Sequence, residues 1–400
     1  MIPLDKSADL RFRIDKMQFA ALLGLMVLGA SFIYSATLAH QSNEVPLYNE
    51  PYFRQLVWYA AGITLAFVVC LVDYHGLVRW SYVAYWTMIV LLVVVLLVGK
   101  TVYGARRWFD LGFFKLQPSE FAKLAFIMAQ AHFLSRPADE LRLPANFFKA
   151  LGLMALPFLL ILKEPDLGSA IVLIPVGLVM MFAAGVPVKF LRRLILGVGI
   201  VVGLFVVDVL YAPPKWQFKL EEYQRRRLWV YFGRDYTSGL ANAAERDKAR
   251  NQQRNDSYNV RQALISVGSG GLAGKGWCKG TQNALGFLPR AVAHNDFIFS
   301  VIAEEKGFMG SVMVLALYSV VLFTGIRIAG QTRDRLGTLL AAGVVTLWFS
   351  HIFINIGMNI RIMPVTGVPL PLLSYGGSSV LSALIAAGLL QNVYIHRRSF

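Results

Sequence analysis

Hydrophobic residues along the chain are gathered into long runs that polar stretches separate. Most of the runs are about 17 to 25 residues long, which is the length of helix that crosses the hydrocarbon core of a bilayer. Ten such runs occur, at residues 17–38, 53–72, 78–98, 118–134, 148–163, 167–184, 190–211, 297–326, 338–358 and 373–395. The pattern predicts an all-α polytopic membrane protein with about ten transmembrane helices, in a single domain that covers residues 1–400.

Composition supports this fold class and excludes an ordinary soluble domain. Hydrophobic residues make up 56% of the chain and charged residues 16%, whereas soluble domains carry about 25% charged residues. The net charge of +16 is typical of cytoplasmic anchors in a membrane protein and does not predict a nucleic-acid partner. The two cysteines, Cys70 and Cys278, predict neither a metal site nor a disulfide.

The distribution of Lys and Arg among the short connections places both termini in the cytoplasm, and the charged segment 1–16 is expected to be a cytoplasmic leader. Two segments predicted to lie outside carry many basic residues. One is Gly99–Gln117, which includes Arg106 and Arg107, and the other is the large loop 212–296 between the seventh and eighth predicted helices. A long loop crosses regardless of charge, but a short one should obey the rule. The arginines of the short segment therefore predict an anionic ligand, with lipid headgroups as the alternative.

Carboxylates inside or beside the predicted spans are costly and indicate either a polar cavity or a structural lock. Glu120 and Lys123 are three residues apart on one helical face and can pair, so they either line a cavity or join two helices. Asp166, in the stretch "EPDLG", is a candidate for both an N-cap and a functional group. Asp296 or Asn295 is expected to cap the helix that follows.

Three further stretches have unusual patterns. Glu304 and Glu305, in "EEKG", are interpreted as structural residues at a local helix distortion. The stretch "RIMPVTGVPLPLLSYGGSS" is too rich in Pro and Gly for a regular helix, and such backbone at membrane depth lines a cavity. The glycine-rich stretch "VGSGGLAGKG" lacks the spacing of a nucleotide-binding P-loop, but its Lys275 is placed to hold an oxyanion.

Two classes of function fit these features. A transporter or flippase would use Glu120, Lys123 and Asp166 as a gated polar path. A membrane transferase that acts on a lipid-linked anionic substrate would use arginines for phosphate and a carboxylate as general base. The polar features gather toward one face and no internal repeat is visible, which favours the transferase.

Five blocks, in this order, resemble the SEDS family of bacterial cell-wall glycosyltransferases: "GARRWFDLGFFKLQPSEFAKLAF", "EPDLGSA", "ISVGSGGLAGKGWCKGTQNALGFLP", "HNDFIFSVIAEEKGF" and "PVTGVPLPLLSYGGSS". The resemblance covers nearly the whole chain and is nearer to the elongation members than to the division members. It implies polymerisation of lipid II into peptidoglycan glycan strands on the outer face of the bacterial cytoplasmic membrane. It also implies two partners, a class B penicillin-binding protein (a PBP2-like transpeptidase) and the elongation machinery that sets cell shape.

The resemblance implies roles for individual residues. Asp296 corresponds to the family's essential aspartate and is the candidate general base, while Glu120, Lys123 and Asp166 are candidates for catalytic support. The candidate substrate-binding residues are Arg106, Arg107, Trp108, Gln117, Ser119, Lys275, Gln282, His294 and Ser374. Among them Arg107, with Arg106 and either Lys275 or Lys123, is expected to stabilise the diphosphate. A divalent cation, Mg²⁺ or Mn²⁺, held by the carboxylates is the alternative source of positive charge.

The chain departs from the family pattern in three places. Arg290 and two extra residues precede His294, so the register just before Asp296 differs. The segment 238–256 is longer than usual and basic, and is expected to be either an amphipathic surface helix or a disordered insertion. Glu164 stands where glutamine is commoner and adds a carboxylate without an assigned role.

Overall fold

The computed structural model describes residues 14–38, 46–102, 105–110, 112, 114–211, 222–237, 242–288 and 290–397. Most of the predicted cytoplasmic leader therefore lies outside the described residues. The α-helices within the described part are α1 (Lys16–Leu38), α2 (Pro51–Leu71), α3 (Tyr74–Arg79), α4 (Ser81–Val98), α5 (Pro118–Leu134), α6 (Ala138–Leu141), α7 (Pro144–Lys163), α8 (Leu167–Ala183), α9 (Val188–Tyr211), α10 (Glu222–Phe232), α11 (Ala243–Ser269), α12 (Thr281–Ala284), α13 (Arg290–Ala293), α14 (Ile298–Gln331), α15 (Arg335–Asn359) and α16 (Gly377–His396).

Each of the ten predicted spans overlaps one of these helices over most of its length, which confirms a helical, multi-pass membrane protein. In the described part of the chain, eight helices are long and apolar enough to cross a membrane, namely α1, α2, α4, α7, α9, α14, α15 and α16. Helices α5 and α8 have 17 residues each and are shorter. Proline at the first turn of α2, α5 and α7 begins these helices where a missing N–H costs nothing.

Helices α15 and α16 form the centre of the bundle, and α9 lies at its periphery. In both central helices 78% of the most apolar window is buried, whereas the figure for α9 is 6%. Helix α2 packs closely along α16, and a Cβ added at Gly388 would lie 2.8 Å from the Cα of Ala66. Glycine is therefore required at that crossing.

A small antiparallel sheet follows α4 and was missed by the all-α prediction. It consists of β1 (Lys100–Val102), β2 (Ala105–Asp110) and β3 (Lys115–Leu116), in the order β1-β2-β3. The strands have 3, 6 and 2 residues, which is too short for an alternating pattern to stand out from a basic loop. The sheet fixes the direction in which the arginines of β2 point, because successive side chains alternate between the two faces.

The segment between α15 and α16 has irregular backbone, as its Pro and Gly content predicts. Helix α16 begins at Gly377 and not at residue 373, so the last predicted span starts too early. The hydroxyl of Ser374 accepts a hydrogen bond from Leu370 N at 2.8 Å and closes a turn just before the helix. Arg361 and Leu372 adopt positive φ angles of 62° and 64° in this segment.

The predicted distortion of the long helix near Glu304 and Glu305 is confirmed. Gly307 in α14 has φ 63° and ψ −157°, and the helix kinks there. A Cβ at Gly307 would lie 2.4 Å from Gly274 N, so the glycine-rich loop that follows α11 packs directly against the kink. The segment 238–256 is helical from residue 243 onward, as the first part of α11, and residues 238–241 lie outside the described residues.

Candidate active site

Asp166 lies where the short basic segment, residues 99–117, meets the helical bundle. It is the N-cap of α8, where its Oδ1 accepts from Ser169 N at 3.1 Å, so the predicted cap is confirmed. Its Oδ2 accepts from the Gln117 side chain at 2.9 Å and lies 3.5 Å from the Ser119 hydroxyl. The capping role and the side-chain network coexist, because the two carboxylate oxygens serve different partners.

Arg107 reaches this carboxylate from β2. Its Nη1 lies 3.6 Å from Asp166 Oδ1, and its guanidinium stacks over the Trp108 ring at 4.4 Å from the centroid. Arg106, the preceding residue, is exposed. Alternation along the strand therefore directs the two arginine side chains to opposite faces of the sheet, and Arg107 is the one that contacts Asp166.

Asp296 lies between α13 and α14 and is held by its backbone. Its carbonyl accepts hydrogen bonds from the side-chain amides of Asn355 and Asn359, both at 3.1 Å. Helix α14 has Phe297 at its N-cap position and no side-chain cap, so the prediction that Asp296 or Asn295 caps it is wrong. The half-buried carboxylate of Asp296 is thus held near the active-site elements without a capping role.

Electrostatics connect Asp296 with the group around Asp166. Burial raises the pKa of the Asp296 carboxyl above its usual value, the positive charges of Arg107 and Arg227 oppose that shift, and Asp166 adds to it. A carboxylate with a raised pKa is better matched to accept a proton near neutral pH than an ordinary aspartate. Arg227 was not among the residues predicted from the sequence, although the basic run "YQRRRLW" in the large loop was a signal for it.

Glu120 and Lys123 form the predicted ion pair within α5, at 2.7 Å and almost fully buried. The Lys123 amine also lies 3.0 Å from His351 Nε2, and Glu120 accepts from the Ser382 hydroxyl at 3.1 Å. The pair therefore ties α5 to α15 and α16. A cavity beside it has a volume of about 10 Å³, close to the space of one water molecule.

Ser374 and His294 position the segment that carries Asp296. The Ser374 hydroxyl donates to the Asn295 carbonyl at 2.6 Å, and Tyr375 N donates to the His294 carbonyl at 2.9 Å. The His294 and Tyr375 rings meet edge to face with centroids 5.3 Å apart. The irregular stretch before α16 thus holds residues 294–296 in place.

Lys275 and Gln282 belong to a different group, centred on Glu304. The Lys275 amine donates to Glu304 Oε1 at 2.6 Å and to the Thr281 hydroxyl at 2.7 Å, and Gln282 N donates to the same Glu304 oxygen at 2.9 Å. Glu305 accepts from Cys278 N at 3.0 Å and from the Ser35 hydroxyl. The structure thus gives both glutamates the structural role expected for them, and none of the hydrogen bonds among the described residues joins Lys275 to Asp166.

Glu164 is a further carboxylate, and its position in the sequence predicted no role for it. It is fully buried, and neither of its carboxylate oxygens has a hydrogen-bond partner among the described residues. Burial, with a smaller contribution from the negative charge of Asp166, raises the pKa of Glu164 from 4.5 to about 9, against the opposing positive charge of Arg107. Glu164 therefore carries a proton at neutral pH.

The carboxylates do not form a ready metal site. The described part of the chain has no group of three His, Cys, Asp or Glu arranged to hold an ion. The oxygens of Asp166 already accept from Gln117 and Ser169 and lie beside Arg107. This donor set does not fit a divalent cation, and Arg107 is the positive charge that lies beside Asp166 instead.

Comparisons with known proteins decide the family. The family model described as Cell cycle protein, which covers FtsW, RodA and SpoVE, matches residues 15–399. The chain belongs to this family. The resemblance to the SEDS proteins is thereby confirmed over almost the full length of the chain.

Relatives within the family have informative names. The chain is 34% identical over 388 residues to the peptidoglycan glycosyltransferase MrdB of Escherichia coli, covering 97% of this chain and 95% of that one. It is 33% identical to the peptidoglycan glycosyltransferase RodA of Treponema pallidum, with 95% and 97% covered. A solved structure described as a peptidoglycan synthase complex that coordinates polymerization and crosslinking matches with TM-score 0.76 and 27% identity, covering 97% and 99% of the two chains.

Proposed function

We propose that this RodA-like chain is a peptidoglycan glycosyltransferase that polymerises lipid II during cell elongation, with Asp296 as its general base. The observation that carries the proposal is the position of the Asp296 carboxylate, which is half-buried, fixed through its backbone, and influenced by Arg107 and Arg227. The names of the curated relatives support the same activity.

The reaction joins a sugar hydroxyl to the anomeric carbon of a saccharide that a lipid diphosphate carries. The acceptor 4-hydroxyl attacks the anomeric carbon from the face opposite the diphosphate, so the new C–O bond forms as the old one breaks and an α-linkage becomes a β-1,4 linkage. Asp296 takes the proton of the attacking hydroxyl. The lipid diphosphate leaves with both bonding electrons, and it needs positive charge near the oxygen that departs.

Arg107 supplies that charge in this scheme. Its planar guanidinium suits bidentate binding of phosphate oxygens. Asp166 and the Trp108 ring restrict its side chain in advance, at 3.6 Å and 4.4 Å. Ordering the arginine before the substrate arrives lowers the entropy cost of binding. Asp166 is thus a positioning residue, and Gln117 and Ser119 position Asp166 in turn.

The buried Glu120–Lys123 pair favours a second candidate function. An ion pair at membrane depth is typical of pathways that polar groups cross, so a lipid II flippase is the alternative. The contacts of the pair with His351 and Ser382 instead suit a lock between α5, α15 and α16. In the transferase proposal the pair supports the site by holding these helices together.

We also propose where the protein lies in the cell and which protein it acts with. The active site faces the outside of the bacterial cytoplasmic membrane, both termini lie in the cytoplasm, and a class B penicillin-binding protein crosslinks the strands. The distribution of Lys and Arg supports the orientation, and the synthase complex that matches this fold supports a crosslinking partner.

One experiment separates the two candidate functions. The purified full-length protein with its partner is incubated with lipid II in detergent, where no membrane has to be crossed, and the products are separated by size. Glycan strands formed under these conditions support the transferase. A protein that forms none, yet moves fluorescent lipid II between the leaflets of vesicles, would instead be a flippase.

A further inference from the structure

The irregular segment between α15 and α16 is held in place by side chains of the surrounding helices. Backbone carbonyls at membrane depth need hydrogen-bond donors from the protein, because hydrocarbon offers none. Carbonyls of the segment 368–374 each meet a buried polar side chain of α2, α14 or α15. The pairs are Val368 with Asn355, Pro369 with His351, Pro371 with Tyr318, Leu372 with Tyr59, and Ser374 with Gln55. Side chains of three helices therefore set the position of this segment.

The start of the segment lies against the Asp296 carboxylate. A Cβ added at Gly367, where φ is 76°, would be 3.7 Å from Asp296 Oδ2. The Asn355 amide donates to the Val368 carbonyl at 2.8 Å and to the Asp296 carbonyl at 3.1 Å. One side chain thus joins the segment to the backbone of the catalytic residue. A shift of the segment would change the surroundings of the carboxylate.

His351 holds the next carbonyl of the segment and connects it to the buried ion pair of α5. The imidazole is buried, with Nδ1 3.2 Å from the Pro369 carbonyl and Nε2 3.0 Å from the Lys123 amine. An ammonium group only donates hydrogen bonds, and a carbonyl only accepts them. Nε2 therefore accepts from Lys123, and the proton of the neutral ring lies on Nδ1 and is donated to Pro369.

His351 and Asn355 act on the segment side by side. They are separated by about one turn of α15 and lie on the same face of that helix. The carbonyls that they hold, those of Pro369 and Val368, belong to consecutive residues. The contacts of His351 thus reach Asp296 through the backbone of the segment.

We propose that His351 is a positioning residue for the catalytic carboxylate, which it fixes by holding the Pro369 carbonyl and, with it, the segment beside Asp296. This inference rests on the transferase function proposed above. A general base works only within hydrogen-bond reach of the proton that it takes, and a displacement of about 1 Å can lower turnover about a hundredfold. Lys123 orients the ring through its bond to Nε2, so the buried ion pair also contributes to the position of the base.

Two substitutions separate the two contacts of His351. In His351→Asn the side-chain amide takes the place of Nδ1 and can still donate to Pro369, but the side chain is too short to reach Lys123. In His351→Gln the side-chain carbonyl takes the place of Nε2 and can still accept from Lys123, while the donor to Pro369 is lost. The matched control is Ser350→Ala, because Ser350 is buried and its hydroxyl donates to the Thr346 carbonyl of the same helix at 2.7 Å.

The measurements are polymerisation kinetics with the partner protein present and the thermal unfolding midpoint in detergent. We expect His351→Gln to lower kcat about tenfold and to leave the KM for lipid II unchanged, because the base acts in the transition state. His351→Asn should recover most of that loss. It should nevertheless be the less stable of the two, because a buried charged amine loses an acceptor. The control should keep the wild-type kcat.

Activity and stability therefore rank the two variants in opposite orders if His351 positions the base. A structural role alone would give one order for both, with His351→Asn the less stable and the less active, and this result would overturn the proposal. If either variant does not fold, Tyr318→Phe takes its place, since it removes the hydroxyl that donates to the Pro371 carbonyl at 2.6 Å. It must then lower kcat at an unchanged KM, and a wild-type kcat would overturn the proposal.

Failure of the positioning role and failure of the function can be told apart. An active wild-type protein with an equally active His351→Gln would remove the positioning role and leave the transferase function standing. A folded wild-type protein that forms no polymer would remove the transferase function, and the positioning role with it.

Discussion

Arg107 Nη1 lies 3.6 Å from Asp166 Oδ1, so a residue of the small sheet meets the N-cap of α8 across 59 positions of sequence. The contact joins the basic segment that follows α4 to the bundle. Asp166 thereby has two functions that substitution can separate, one in capping a helix and one in positioning an arginine.

Replacing Asp166 by asparagine should keep the helix cap and weaken the hold on Arg107. Asparagine caps helices about as well as aspartate, but it lacks the charge that attracts the guanidinium. We expect turnover to fall about tenfold or more, with little change in thermal stability measured in detergent. Asp166→Ala is the comparison, and it should lose a further ~1 kcal/mol of stability because the cap is gone. Wild-type turnover in Asp166→Asn would contradict the positioning role.

The pH dependence of turnover should move in opposite directions in two variants. Arg227→Gln removes a positive charge that lowers the Asp296 pKa, so that pKa should rise and the acid limb of the rate profile should move to higher pH. Asp166→Asn removes a negative charge that raises the pKa, so the limb should move to lower pH. The measurement is the polymerisation rate against pH, and shifts of the same sign in both variants would exclude Asp296 as the titrating base.

Glu164 should make the protein less stable as the pH rises. Its pKa is about 9 in the folded protein against 4.5 for an ordinary glutamate. Below pH 4.5 both states hold the proton, whereas between 4.5 and 9 only the folded state does, so stability falls through this window and levels off above it. Glu164→Gln should remove this slope and retain turnover. The measurement is the thermal unfolding midpoint of both proteins as a function of pH. If the midpoint of Glu164→Gln still falls with pH as in wild type, Glu164 is not the group responsible.

Lys275 should matter for stability. Its amine pairs with the almost fully buried Glu304 while remaining one-quarter exposed. Lys275→Ala leaves Glu304 with weaker partners and should cost about 1–3 kcal/mol, toward the lower end because solvent reaches the lysine. The exposed neighbour Lys279→Ala is the control and should change little. Loss of turnover without loss of stability would return Lys275 to the substrate site.

The helices were predictable because apolar runs of membrane-spanning length are a strong signal. The small sheet was not predictable, because its short strands show no alternating pattern of polar and apolar residues. They are held by pairing with one another. Spacing also gave no reason to place Arg107 beside Asp166, or Lys275 beside Glu304, since both contacts join distant parts of the chain. Asp296 or Asn295 was expected to cap α14, but Phe297 is at the N-cap position and the structure holds Asp296 by its carbonyl.

Residues in the large loop were the hardest to select from the sequence. Arg227 acts on Asp296 because α10 folds back against the end of α9, with Trp229 Nε1 donating to the Val209 carbonyl at 3.2 Å. Within a run of three arginines, the sequence does not indicate which one lies near the active site. The irregular stretch before α16 was predicted to line a cavity, and Arg361, Met363, Pro364 and Val365 at its start do line one.

The most direct test of the account is glycan-strand formation from lipid II by Asp296→Asn, with the partner protein present. The substitution keeps the shape of the side chain and the backbone contacts with Asn355 and Asn359, and removes the base. Asp247→Asn, at an exposed position of α11, is the matched control. The account predicts that Asp296→Asn folds like wild type and polymerises at least about a hundredfold more slowly, while the control is unaffected. Polymer formed at the wild-type rate by folded Asp296→Asn would contradict it.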